Sequence, residues 1–475
     1  RSSIYGAAKG IGTTAKEGAK QMKYRMGGII LLLSVLSTSL GAQQARPNFV
    51  LIVTDDQSWA GTSICMDDRV LDRFQDRYET PAVERLANEG MRFSAGYAAA
   101  PVCSPSRYSI QWGQSVARHG VTDVQKLYRE SPVLADRDTL AEVLKHVDET
   151  YVAAHFGKWH ILGDPAEMGF DVSDGETGNK EGGFALKDEY ETRLQEDPKR
   201  TNSLKRRSVA FLEQMAKEGS SFFLQISHYA NHTWVVADPD DFDKQLLKES
   251  DPMTAIYRAM TVALDRSVEG VLDCLDELGL AENTYVIFTS DNGAVPSLPP
   301  SETPRIMNAP LTGGKWSLRE GGIRVPFVVR GPGIAAGEQC DVPVSGIDIL
   351  PTLFELAGGD QLETVQVMDG VSFAPLLFDA DEVKTTEQLM ERPLTWHYPK
   401  FNTWKLQTAS SALRLGYWKL IHNWETNQSR LYNIKTDLRE ASDLSEKLPA
   451  LTSALRAALF AELRGAGQPV PAVKM

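Results

Sequence analysis

Four short apolar runs, each delivering polar residues at its carboxyl end, constrain the fold of this chain more than any other feature. Asn48–Thr54 runs into Asp55-Asp56, and Tyr151–Phe156 into Gly157-Lys158-Trp159-His160. Ser221–Ser227 runs into His228 and His232, and Tyr285–Thr289 into Ser290-Asp291-Asn292-Gly293. Such near-continuous apolar runs are the pattern of strands buried on both faces. Helical patterns separate them, which predicts an α/β fold with a large, mainly parallel central sheet flanked by helices. Ligands of such sheets bind beyond the carboxyl ends of the strands, so one edge would collect all these polar groups.

Between the runs, Thr80-Pro81 predicts an N-cap and a first-turn proline for a helix over 82–88, stopped by Gly90. Ser104-Pro105 predicts another helix start and puts Cys103 just outside its N-terminus, where unpaired amides favour an anion. An amphipathic stretch over 253–280 leads into the Tyr285 run. The pattern changes after about residue 380. Leu394–Tyr398, Ala412–Leu415, Trp418–Ile421 and Arg430–Ile434 read as short antiparallel strands, and Pro449–Arg464 as a closing helix. This predicts a catalytic α/β domain over 43–380, a junction near Ala380–Lys384, and a smaller C-terminal α+β subdomain over 381–475.

Residues 26–42 carry the run Ile29–Leu33, basic residues Lys23 and Arg25 before it, and Ser39-Leu40-Gly41-Ala42 after it. That is the build of a secretory signal, too short for a stable membrane span, and it predicts a secreted or periplasmic protein. Residues 1–21 precede Met22 and read as an upstream extension, so residues 1–42 are set apart from the fold. They carry a net charge of +5, which leaves −18 on the remainder. An acidic body argues against nucleic acid as a partner, and an anionic substrate would need a locally positive pocket. The four cysteines, Cys65, Cys103, Cys274 and Cys340, allow no disulfide scaffold.

Cys103-Ser104-Pro105-Ser106-Arg107 is the core read by machinery that oxidises cysteine to formylglycine. The hydrated aldehyde carries a hydroxyl able to attack a sulfate ester, whereas the bland reading is a buried structural cysteine at a helix start. Asp55, Asp56, Asp291 and Asn292 are oxygen donors at two strand ends, a set without His or Cys that suits Ca²⁺ or Mg²⁺ rather than zinc. Either pair alone would read as a turn.

With these stand Thr80–Phe93, Gly157–His160, Asn231-His232, Pro310–Lys315, Glu320–Pro326 and Leu431-Tyr432-Asn433. In that order, over residues 47–465, the chain resembles the type I, formylglycine-dependent sulfatases of the alkaline phosphatase superfamily. It departs from their pattern at Gln111-Trp112, Thr150, Asn231 and Trp234, while the charged members are all present.

The resemblance implies roles. Residue 103 would be the formylglycine nucleophile, converted by a formylglycine-generating or anaerobic sulfatase-maturating enzyme. Asp55, Asp56, Asp291 and Asn292 would complete a calcium shell with it, and Arg107 would orient it. Lys158 and Lys315 would bind sulfate, His232 would protonate the leaving alcohol, and His160 would be the base that releases sulfate and restores the aldehyde. A sulfated carbohydrate is the implied substrate, since Trp396–Lys400 resembles a stretch of bacterial carbohydrate sulfatases. His397 there is a candidate substrate contact, and Trp59, Trp112 and Trp234 are candidates for stacking on a sugar. His155 reads as a core group, and His119, His146 and His422 as solvated ones. A phosphonate or phosphodiester hydrolase of the same superfamily, or an inactive sugar-binding relative, remain alternatives.

Overall fold

The computed structural model describes residues 46–70, 74–124, 137–183, 194–297, 307–360, 367–378, 382–400 and 408–468, all within one compact unit, Ala45–Met475. The expected leader lies outside the described residues, as does part of the expected junction. The described strands are β1 (Asn48–Thr54), β2 (Met91–Phe93), β3 (Gly96–Tyr97), β4 (Val152–Gly157), β5 (Val172–Ser173), β6 (Phe222–Ser227) and β7 (Thr284–Ser290). They continue as β8 (Phe327–Arg330), β9 (Glu338–Cys340), β10 (Val344–Ser345), β11 (Leu394–Tyr398), β12 (Ser410–Leu415), β13 (Trp418–Asn423) and β14 (Gln428–Asn433).

Eight strands form the central sheet in the order β5-β4-β6-β1-β7-β8-β2-β9. Only β8 runs against its neighbours, pairing antiparallel with β7 and β2. β1 sits where the strand order reverses, between β6 and β7. Register then levels the strand ends. Ser227 pairs with Gly157 on one side and Val53 on the other, and Val53 pairs in turn with Thr289. Residues 55–56, 158–160, 228–232 and 291–292 therefore leave the sheet along one line.

Side chains alternate across β1 because strand residues point to opposite faces. Phe49, Leu51 and Val53 enter one core with Phe223, Ile287, Tyr108, Leu144 and Ile349. Val50 and Ile52 enter the other with Leu224, Phe288, Leu86, Phe211 and Leu272. Helices Cys103–Trp112, Leu140–Val147 and Ile349–Leu356 cover the first face. Helices Pro81–Asn88, Thr201–Glu218 and Pro252–Glu277 cover the second. The Pro81 helix is not capped by Thr80, whose hydroxyl accepts from the Ser63 amide at 2.8 Å. The Asp265 carboxylate, from the Pro252–Glu277 helix, takes the Ala82 and Val83 amides instead, at 2.9 and 3.0 Å.

The expected C-terminal sheet is present, antiparallel in the order β11-β12-β13-β14. One face packs Leu413, Leu420 and Leu431 on Leu455, Leu459 and Leu463 of helix Pro449–Gly465. The other carries Trp396, Tyr398 and Ala412 onto Tyr97 and Ile323. Buried charges seal this contact. Lys419 Nζ lies 2.7 Å from Glu320 Oε1 and 3.0 Å from Glu440 Oε1, Arg324 Nε donates to Glu320 at 2.6 Å, and Arg414 donates to the Tyr97 hydroxyl at 2.6 Å.

His155 is a core group as expected, bonded to Ser227 and packed edge-on to Trp159 and Phe170. His119 and His422 are not solvated. Each is buried and bonded to a serine, Ser109 and Ser429 respectively, because a polar partner makes imidazole burial tolerable. His146 is exposed. Trp59 and Trp112 are also buried, with their indole N–H groups on the Ser94 and Arg137 carbonyls, so neither can stack on a sugar. Trp234 is half-buried. No disulfide joins any of the four cysteines, and among the described residues no helix is long and apolar enough to cross a membrane.

Candidate active site

The backbone at the end of β1 is tied to both neighbouring strands. The Asp55 amide donates to the Ala230 carbonyl at 2.9 Å, and the Asp291 amide to the Thr54 carbonyl at 3.1 Å. Asp56 takes a left-handed conformation (φ 55°), uncommon outside glycine but best tolerated by Asp and Asn. It aims both carboxylates into the same space. At the end of β4, Gly157 has φ 101°, and a Cβ there would lie 2.0 Å from the Ser227 carbonyl oxygen. Only glycine allows this approach, which brings the Lys158 amide to the Ser227 carbonyl at 2.7 Å.

Three buried cations meet three buried carboxylates. Lys158 Nζ is 2.5 Å from Asp55 Oδ2. Lys315 Nζ is 2.6 and 2.8 Å from the two oxygens of Asp56. Arg107 clasps Asp291 Oδ2 through Nε at 2.9 Å and Nη2 at 2.8 Å, and its Nη1 donates to the Lys158 carbonyl at 2.5 Å. The Lys315 loop is fixed by its own amide on the Ala294 carbonyl, 2.8 Å, and by Asn308, which bonds both backbone groups of Ala294. Cys103 is the first residue of its helix rather than the one before it, because Val102 is the extended N-cap. Arg107 follows four residues later, on the same helix face.

Electrostatics follow from burial. Burial works to raise Asp55, but Lys158, Arg107 and Lys315 outweigh it and hold the carboxyl below its usual range. Burial, reinforced by the charge of Asp55, pushes Asp291 up to about 6. It also raises the Cys103 thiol, against the pull of Lys158 and Lys315. Burial and the adjacent lysines push His160 and His232 well below the ordinary imidazole value, so both are neutral. The Thr233 carbonyl can only accept, so His232 Nδ1 carries the proton that bonds it, and Nε2 lies 3.9 Å from Asp56 Oδ2.

The donor set fits a hard cation. Ligand atoms of Asp55, Cys103 and Asp291 lie within 4.8 Å of one another, as do those of Asp55, Asp56 and His232. Asp55 Oδ1 and Asn292 Oδ1 are buried without a hydrogen-bond partner among the described residues. Oxygens left bare at the centre of a charge cluster are what an oxygen-seeking divalent ion would satisfy.

Of the expected residues, Asp55, Asp56, Cys103, Arg107, Lys158, His160, His232, Asp291, Asn292 and Lys315 come together. His397 stands apart, its imidazole bonded to Ser411 at 2.7 Å on β11 and lowered to about 4 by burial. The next residue, Tyr398, is the one subject to the charges of Lys315 and Cys103. Sequence reasoning missed Lys199, which is 2% exposed and feels the charges of Asp55, Lys158, Asp56 and Lys315. Burial chiefly lowers it to about 7. Asp197-Pro198-Lys199-Arg200 carries no signal for this, since it reads as a solvated turn. Trp316 was missed too; it is half-buried, with Lys315 Nζ 5.6 Å from its ring centre.

Comparison with known proteins agrees with this geometry. The family model described as Sulfatase matches residues 47–359, and one described as N-sulphoglucosamine sulphohydrolase, C-terminal, matches 314–464. The chain is 29% identical to a protein named sulfatase from Formosa agariphila, over 91% of each chain. It is 28% identical to N-acetylgalactosamine-6-sulfatase of Mus musculus, covering 84% of this chain and 77% of that one. Among solved structures it resembles Ps i-CgsB, with a TM-score of 0.71, 26% identity and coverage of 90% and 94%. That protein has also been solved in complex with k-i-k-neocarrahexaose. With its acidic strand ends, its paired lysines and the Cys103 helix aligned on one edge, the chain belongs to the sulfatase family.

Proposed function

We propose that this sulfatase removes O-sulfate from a sulfated carbohydrate, using residue 103 after its oxidation to formylglycine. The observation that carries the proposal is the buried cluster around Cys103, in which Lys158 and Lys315 supply positive charge beside an oxygen-rich cation site. The carbohydrate rests on the relatives, since N-acetylgalactosamine-6-sulfatase and the neighbour solved with k-i-k-neocarrahexaose both carry sugar names. Trp316, half-buried with Lys315 Nζ 5.6 Å from its ring centre, would offer a ring face to such a substrate.

Lys158 and Lys315 bind the sulfate oxygens and neutralise charge that grows at sulfur. Asp55, Asp56, Asp291 and Asn292 with residue 103 would hold Ca²⁺ or Mg²⁺, which when bound makes an anionic nucleophile accessible at neutral pH. The aldehyde hydrate would supply a hydroxyl where the buried thiol is a poor attacker. Arg107 fixes the helix start through Asp291 and the Lys158 carbonyl. His232 presents Nε2 as the atom that carries a proton to the leaving oxygen. Burial and the lysine charges keep it neutral, and an arriving sulfate would offset those charges and raise its proton affinity. His160, neutral and with Nδ1 unpartnered among the described residues, accepts a proton from residue 103 as sulfate departs. Cys103 through Arg107 are all buried, so a maturating enzyme must act before the chain folds. Export directed by the 26–42 leader would place the enzyme in the periplasm or the medium.

The test compares matched sulfate, phosphate and phosphonate esters, then a panel of defined sulfated saccharides, with matured, calcium-loaded protein. Preferential release of sulfate, and turnover of at least one saccharide, is expected. A preference for phosphodiester or phosphonate esters would favour the hydrolase alternative. No turnover by fully matured protein would favour a binding relative.

A further inference from the structure

Lys199 has no part in the chemistry above, yet the chain is bent to bring it there. Lys199 and Arg200 are both left-handed, with φ 53° and 55°. The bend is pinned by Asp197, whose carboxylate takes the Asn202 amide at 2.7 Å and the Ser203 hydroxyl at 2.5 Å, and whose carbonyl takes the Arg200 amide at 3.0 Å. It sends adjacent basic side chains opposite ways, Arg200 into solvent and Lys199 into the protein. There Lys199 feels the charges of Asp55, Asp56, Lys158 and Lys315, and its own charge acts on His232.

Lys158 and Lys315 each have a carboxylate partner. Among the described residues, the Lys199 side chain, on a residue 2% exposed, has neither a hydrogen bond nor an ion pair. An ammonium withdrawn from water and left unpaired is unfavourable. Two consecutive left-handed residues that are not glycine add to the cost, and strain of this kind concentrates at functional sites. A cation so placed is suited to pair with an anion carried by a ligand.

We propose that Lys199 is a substrate-binding residue whose ammonium pairs with an anionic oxygen of the bound substrate. This rests on the sulfatase reading above. The oxyanion belongs either to the scissile sulfate or to a second sulfate or carboxylate on the sugar, and the two sources separate experimentally. Lys199→Met keeps the length of the side chain and removes its charge, so the fold should hold; Lys199→Gln serves if near-UV circular dichroism shows otherwise.

With matured, calcium-loaded protein, KM is measured for a simple aryl sulfate, a monosulfated sugar and a disulfated sugar, and the affinity for inorganic sulfate by calorimetry. Loss of one charge-assisted hydrogen bond should weaken binding about tenfold or more, with partial recovery in Lys199→Arg. An equal loss for inorganic sulfate, aryl sulfate and sugars assigns Lys199 to the scissile sulfate. A loss confined to the disulfated sugar assigns it to a second anion. Unchanged KM for all three esters together with unchanged sulfate affinity overturns the proposal. Wild-type protein that turns over no sulfate ester defeats the functional reading instead, and calorimetry with inorganic sulfate and with the disulfated sugar still decides the role of Lys199: unchanged affinity for both overturns it.

Discussion

Replacing Lys419 by Met should destabilise the protein by about 3–5 kcal/mol, the usual cost of removing one partner from a buried ion pair. Lys419 and Glu320 are fully buried, Glu440 is nearly so, and Lys419 is the ammonium that bridges the two carboxylates, at 2.7 and 3.0 Å. Glu320 retains Arg324, but among the described residues the Glu440 carboxylate keeps only the Glu320 amide, at 2.8 Å. Unfolding entropy of about 2.1 cal/mol/K per residue gives about 0.9 kcal/mol/K for a unit of this size, so Tm should fall by only about 3–6 °C. Urea unfolding followed by tryptophan fluorescence is the better assay. Because the harm comes from stranding Glu440, the double variant Lys419→Met/Glu440→Gln should be more stable than Lys419→Met alone. Activity should fall as well, since the Gly321 amide holds the Thr312 carbonyl and the Gly322 carbonyl holds the Gly293 amide, in the loops that carry Lys315 and Asn292. A loss below about 1 kcal/mol, the scale of an exposed pair, or a double variant worse than the single, would refute the reasoning.

Lys315→Ala should lower kcat/KM about a hundredfold, as expected for loss of a preorganised charge-stabilising group, with circular dichroism unchanged. His232→Ala should cost less on an aryl sulfate with a good leaving group than on a sugar sulfate, and equal losses would remove its acid role. Calcium affinity should rise with pH through about 6, because the proton held on Asp291 must leave before the ion binds; the slope approaches about tenfold per pH unit for each proton displaced, measurable by calorimetry. Gly157→Ala should destabilise by about 2–4 kcal/mol through its left-handed φ and the clash with Ser227, and should lower turnover by moving Lys158.

Much of the site was legible because strands buried on both faces leave continuous apolar runs, and the residues after them are necessarily at the ligand-binding edge. What the runs could not show was register, the reason 55, 158, 228 and 291 leave the sheet level with one another. Lys199 escaped because two left-handed backbone angles decide its burial, and Asp197-Pro198-Lys199-Arg200 gives no sign that non-glycine residues adopt them. Trp59 and Trp112 misled for the opposite reason: closeness in sequence to motif residues says nothing about which side of a helix or loop a ring occupies. The Lys419 cluster joins Lys419 and Glu440 to Glu320 across 99 and 120 positions, and only the docked sheets bring them together. His119 and His422 could not be placed without the serines that accept them.

The most direct test of the central claim is the mass of the peptide containing residue 103, taken from the preparation whose turnover is being measured. Activity should scale with the fraction of residue 103 converted from cysteine to formylglycine, and Cys103→Ala should be folded and inactive. Full multiple-turnover activity in protein whose Cys103 is wholly unmodified would contradict the account.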